Sequence, residues 1–217
     1  MKIQLLTSNN SWLNIYKKKR INDFLKKFSK KFSVINSYNK IKRKNDVLII
    51  LSYFKIIPEK FLKISKYNLV VHESDLPNGK GFSPLSWQIL EGKTEIVFTL
   101  FEASKYVDSG KYYSKKKFFF KKDMIFDEIK NKQLESSLSL LSDFIKNLKD
   151  GKKIKILNQK GKSSYYQKRG KNSSKLNLKK SLFEQINLLR IVDNENYPAY
   201  FFYKNKKYLI KIFKEKS

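Results

Sequence analysis

Cysteine is absent from the 217 residues, and histidine occurs once, at His72. Without thiols there is neither a disulfide nor a thiolate metal site, and a single imidazole makes a histidine-based zinc site implausible. Any catalysis is therefore expected to be metal-free. Proline and glycine are sparse, at four and seven residues, so the places where they gather mark turns. No run approaches the roughly 20 apolar residues of a membrane span, and the opening MKIQLLTSNNSW holds only a few apolar residues before polar ones. A soluble, cytoplasmic protein is expected.

Acidic residues are scarce too, 19 against 48 lysines and arginines, which leaves a formal charge of +29. A concentrated basic surface is the electrostatic footprint of nucleic-acid binding. The lysines, however, occur from end to end, as in Lys17 to Arg20, Lys115 to Lys122 and Lys204 to Lys216, and no segment owns them. With Asn and Ile also abundant, the bias matches an AT-rich gene, so nucleic acid is disfavoured as a partner. A uniformly positive surface would still attract phosphorylated substrates.

What is present is enough to build a core: 41% of residues are apolar and 15% aromatic, which fits one compact domain with a small appendage. Lys2 to Leu6 is a short apolar strand, and Ser8 to Asn10 offer caps for a helix in which Ile21, Phe24, Leu25 and Phe28 recur at i, i+3, i+4 and i+7. Phe32 to Ile35 is a second strand. Val47 to Leu51 is a continuous apolar run suited to a strand covered on both faces. No G-x-G-x-x-G follows the first strand, so dinucleotide binding has no support. Pro58 to Ser65 forms a short helix.

The chain is organised around residues 68–110. Leu69 to Val71 deliver His72 to a strand end, followed by Pro77, Gly79, Gly81 and Pro84, which exclude regular structure. A helix, Leu85 to Leu90, and a strand, Ile96 to Phe101, lead to a turn carrying Asp108 before Ser109 and Gly110. Open α/β sheets hold ligands beyond the carboxyl ends of their strands, where the imidazole and the carboxylate could meet. A lone histidine also serves packing, and Asp before Ser-Gly is a common turn former.

Tyr112 to Phe120 has the pattern of an edge strand guarded by lysines. Met124 to Leu148 is the longest helix, with Leu134, Leu138, Leu141, Ile145 and Leu148 on one stripe. Gly161 to Ser174 reads as a loop crossing near the site, Leu182 to Val192 as a helix, and Ala199 to Tyr203 with Tyr208 to Phe213 as a terminal hairpin. Trp87 is expected to pack.

His72, Ser74, Leu76, Pro77, Gly81 and Pro84, with Asp108 and Gly110 further on, resemble the signature of the formyltransferases that use N10-formyltetrahydrofolate. That family includes enzymes acting on methionyl-tRNA, glycinamide ribonucleotide and sugar nucleotides. DVLIILSYFKIIP, residues 46–58, is similar to the family's buried strand and folate loop, and SSYYQKR, residues 163–169, to the tail of the sugar-modifying branch.

The resemblance implies an α/β fold with a Rossmann-like core, a mostly parallel sheet flanked by helices, over residues 1–151, and a C-terminal extension of loop, helix and hairpin over 152–217. It implies transfer of a formyl group from N10-formyltetrahydrofolate to the primary amine of a small molecule, an amino sugar carried on a nucleotide, with methionyl-tRNA or glycinamide ribonucleotide as alternative acceptors. A basic nucleic-acid-binding protein on a degenerate scaffold is the reading from another class.

His72 and Asp108 would be catalytic, Asp108 orienting the imidazole. Phe54, Lys55, Ile56 and Val107 would bind the folate. Glu73, Lys80, Tyr165 and Tyr166 are candidate acceptor contacts, the two tyrosines being equally suited to anchoring their loop. A homodimer is allowed. The family's third catalytic residue, an Asn two positions before the His, is Val70 here. Asn68 lies about 13 Å back along the strand, at about 3.3 Å per residue, so Asn78, a backbone N–H or water would have to assist the oxyanion.

Overall fold

The computed structural model describes residues 1–13, 17–42 and 45–215. Six strands form one sheet in the order β2-β1-β3-β4-β6-β7: β1 (Lys2–Leu6), β2 (Lys31–Ile35), β3 (Asn45–Ile50), β4 (Ser65–His72), β6 (Glu95–Glu102) and β7 (Tyr112–Phe119). The first four pair in parallel, whereas β6 runs antiparallel to β4 and β7 antiparallel to β6. The expected mostly parallel α/β core is therefore present.

Alternation of side chains along each strand divides the core between the two faces of the sheet. Ile3, Leu5, Val47, Ile49, Leu69 and Val71 join one cluster, while Leu6, Leu48 and Ile50 join another. On the first face lie α1 (Lys18–Phe28), α3 (Pro84–Leu90) and the long α4 (Phe126–Lys149). In α1 the buried residues are Ile21, Leu25 and Phe28, spaced by four and three, with lysines on the solvent side. The second face is closed by Ile41, Ile57 and Leu62, the last from the single turn α2 (Glu59–Leu62). Val47, Leu48 and Ile49 are wholly buried, as a run apolar on both faces requires.

Three expectations need correction. Lys80–Gly81 does form a short strand, β5, because its partner β8 (Tyr165–Tyr166) supplies a parallel ladder from far along the chain. The helix expected from Leu182 to Val192 shrinks to α5 (Ile186–Arg190): Leu182 and Phe183 are exposed, and the Gln185 side chain holds the preceding turn through Asn177, Lys180 and Ser181. The terminal hairpin is shorter, β9 (Ala199–Tyr203) with β10 (Lys206–Ile210). Part of the helix entry after Trp12 and of the lysine-rich link before β3 lies outside the described residues. No helix among the described residues is long and apolar enough to cross a membrane.

Candidate active site

β4 places His72 at its last position, where the backbone must leave the sheet because Pro77 and the glycines follow. The residue is 6% exposed. Its Nε2 lies 2.8 Å from the carbonyl oxygen of Gly79. A carbonyl only accepts, so Nε2 carries the hydrogen, and in the neutral ring the lone pair is on Nδ1. Nδ1 faces Asp108 Oδ2 at 3.7 Å, too long for a hydrogen bond but close enough for the carboxylate to stabilise a proton gained there. The loop after β6 thus brings together the two residues expected to act as a pair.

Asp108 is held by its surroundings. The Gly81 N–H donates to its Oδ2 at 2.8 Å, and its backbone is left-handed, φ +46°. Gly81 itself has φ +96°, and a Cβ there would lie 2.5 Å from the Tyr166 carbonyl, so only glycine can carry this donor so close to β8. Five described non-glycine residues have positive φ. Ser52, Ser83 and Asp108 line one cavity, and Lys204 and Asn205 make the hairpin turn. Backbone strain of this sort gathers where function over-determines the geometry.

That cavity measures about 360 Å³ and is lined by His72, Asp108 and residues of the loops after β3, β4 and β6. All four residues expected to hold the folate, Phe54, Lys55, Ile56 and Val107, line it. Phe54, Ile56 and Val107 are exposed at 55%, 66% and 48%, joined by Phe82 and Tyr106. An apolar rim left uncovered on a cavity wall suits a flat ring system. The Phe54 N–H is already engaged by Ser8 Oγ at 3.1 Å, so it is not a free donor for such a ring.

Of the four expected acceptor contacts, only Glu73 lines the cavity. Lys80 is buried with its ammonium donating to Ser109 Oγ at 2.9 Å. Tyr165 is 65% exposed. The Tyr166 ring stacks on Trp87 and its hydroxyl donates to Glu91, burial pushing its pKa up to about 12. These three sit behind the loop rather than in the cavity, and Trp87 packs as expected. The Asn68 amide is spent on the Leu62 carbonyl and Glu102. Asn78 is exposed and is not among the lining residues, and Val70 presents an apolar wall.

Sequence reasoning missed Lys130 and Gln133. Both project from α4 into the cavity. Lys130 Nζ donates to Gln133 Oε1 at 2.9 Å, and Gln133 Nε2 donates to Glu73 Oε1 at 2.6 Å. The ammonium lies over the rings of Trp12 and Phe126. Desolvation there pushes its pKa from 10.5 down to about 8, against the smaller opposing pull of Glu73 and Asp193. The signal available was a polar i, i+3 pair one position ahead of the apolar stripe at Leu134.

The description "Formyl transferase" belongs to the family model that matches residues 15–145, well over half of the chain. The chain belongs to this formyltransferase family. Curated relatives include the methionyl-tRNA formyltransferase of Sulfurihydrogenibium sp. (strain YO3AOP1), 28% identical over 156 residues, which cover 70% of this chain and 50% of the relative. The chain spans about half the length, or less, of the curated relatives it matches. Among solved structures, methionyl-tRNA formyltransferase from Clostridium thermocellum superposes with a TM-score of 0.77 at 18% identity, covering 100% of this chain and 94% of that one. HypX from Aquifex aeolicus in complex with tetrahydrofolic acid gives 0.79 at 18% identity, covering 98% of this chain and 37% of that one. At these identities the superpositions establish the fold.

Proposed function

We propose that this protein transfers a formyl group from N10-formyltetrahydrofolate to a primary amine, and that the facing of His72 Nδ1 and Asp108 Oδ2 on the cavity wall is what performs it. The donor, when bound, supplies the formyl carbon that the amine attacks. Phe54, Ile56 and Val107 cover its ring, and the HypX complex with tetrahydrofolic acid lends support to a folate in this fold. His72 Nδ1 takes the proton that the amine must lose as the new C–N bond forms, and returns it to the departing nitrogen. Asp108 stabilises the imidazolium in the interval, while Nε2–H, fixed on Gly79 O, keeps the ring from turning.

For the acceptor we favour the amino group of methionyl-tRNA. The curated relatives carry that activity in their names, which weighs against the expectation, drawn from the even spread of lysine, that nucleic acid is no partner. The cavity wall adds Lys55, Lys105 and Lys130 to a chain of charge +29, a field that concentrates polyanions. An amino sugar on a nucleotide is the second reading, favoured by the 163–169 tail. The test is incubation with N10-formyltetrahydrofolate and, separately, methionyl-tRNA or a panel of amino-sugar nucleotides, followed by mass analysis. Formyl on the tRNA alone supports the favoured acceptor, formyl on a sugar selects the second reading, and no formyl on any amine overturns the proposal.

A further inference from the structure

Behind Asp108, on the side away from the cavity, runs a segment outside the family match. Leu157 exchanges two backbone hydrogen bonds with Tyr112, both 2.8 Å. Two residues on, the Gln159 Nε2 donates to the carbonyl of Asp108 at 2.9 Å and to that of Gly110 at 2.8 Å. One amide group therefore closes the turn on both sides of Ser109. The Gln159 Oε1 is buried without a partner, so the side chain is kept there by its two donated bonds alone, at the expense of an unsatisfied acceptor.

Ser164 and Tyr166 grip the facing loop. Ser164 Oγ accepts from the Gly79 N–H at 2.8 Å, and Tyr166 O accepts from Phe82 N–H at 3.1 Å. Gly79 carries the carbonyl on which His72 rests.

We infer that Gln159 is a positioning residue for formyl transfer, which holds the Asp108 turn in its left-handed form so that the carboxylate faces His72. The inference rests on the function proposed above, and the reasoning is geometric. At φ +46° a non-glycine residue is strained and relaxes unless its neighbours hold it. The Gly81 N–H fixes one carboxylate oxygen but not the peptide plane; Gln159 fixes the plane. If the two carbonyls are released, Asp108 swings, and a displacement on the order of 1 Å at a catalytic group costs up to about 100-fold in rate.

The test uses the full chain and two variants. Gln159→Met keeps length and packing but donates nothing; Gln159→Lys keeps a donor within reach of both carbonyls. His72 is the sole histidine, so its imidazole ¹H–¹⁵N resonances are read without assignment and report on Asp108 whether or not the protein turns over. In Gln159→Met the expected result is a kcat reduced on the order of 10- to 100-fold with KM for the formyl donor unchanged, and displaced His72 resonances. Gln159→Lys restores part of both. His72 resonances that superimpose on those of the wild type overturn the inference, whatever the rate. So does an equal loss of melting temperature, folate affinity and kcat, which would make Gln159 a strut. If the wild-type protein formylates no amine, the proposed function falls, and the resonances alone decide whether Gln159 sets the Asp108–His72 geometry.

Discussion

Replacing Lys130 with Met should stabilise the protein while harming the site, and the size of the effect follows from the ammonium's surroundings. Its pKa falls from 10.5 to about 8, and at about 1.4 kcal/mol per pH unit the protonated form costs folding about 3 kcal/mol. Met retains the length of the stem against Trp12 and Phe126 and removes the charge. It also forfeits the bond to Gln133, about 1 kcal/mol, so about 2 kcal/mol of stabilisation should remain at pH 7.

For a chain of this size that corresponds to roughly 4–8 °C in Tm. A lysine whose folded pKa lies below its unfolded value binds fewer protons folded than unfolded between the two. Wild-type stability therefore rises with pH across the window from about 8 to 10.5, and the penalty is fully present below it. The advantage of the variant should be greatest at pH 7 and shrink towards pH 10.5 in guanidinium unfolding. A variant less stable than wild type, or a gain that ignores pH, would refute the desolvation account.

His72→Ala and Asp108→Ala should each lower turnover by at least about 100-fold with the unfolding midpoint little altered; wild-type rates in either purified variant would reject their roles. Gly110→Ala places a Cβ 1.6 Å from the Glu102 carbonyl oxygen, a backbone clash, so a loss above about 4 kcal/mol is expected, visible as failure to yield a cooperative unfolding transition. Tyr113→Phe removes a donor from the Glu102 carboxylate, whose pKa desolvation already raises. A carboxyl raised in the folded state penalises folding above its folded pKa and is relieved as pH falls through it. The variant should thus cost about 1–3 kcal/mol at pH 7 and less at acid pH, as measured by denaturant midpoints at both.

The elements visible in the sequence are those whose periodicity is decided locally. The run at Val47 to Leu51 could only be a doubly covered strand, and the stripe at Ile21, Leu25 and Phe28 could only be a helix face. His72 was visible because an apolar strand ends on it and prolines and glycines follow, and Asp108 because of its motif spacing. What stayed hidden depends on contacts between distant segments. A ladder of two residues, Lys80–Gly81 on Tyr165–Tyr166, has no period to detect. Burial of Lys80 is produced by that ladder and by Ser109, and the residue looks solvated in isolation. The Leu182 to Val192 stretch has apolar residues at helical spacing, yet Phe183 has nothing to pack against at 86% exposure, so tertiary context never pays for the first turns. Lys130 and Gln133 stand outside the apolar stripe of their helix, and the sequence does not say that a cavity lies in front of them.

The pairing of the strand at Tyr165 with the loop beneath His72 has a bearing on biogenesis. Gly79 and Ser164 are 85 positions apart, a distance that a ribosome translating at about 5–20 residues per second covers in roughly 4–17 s. During that interval the nascent sheet can be complete through β7 and the reaction centre still unassembled. A polypeptide cut before Ser164 would lack both the acceptor for the Gly79 N–H and the partner strand of Lys80–Gly81, so the loop under His72 gains its support only once that distant segment has been made.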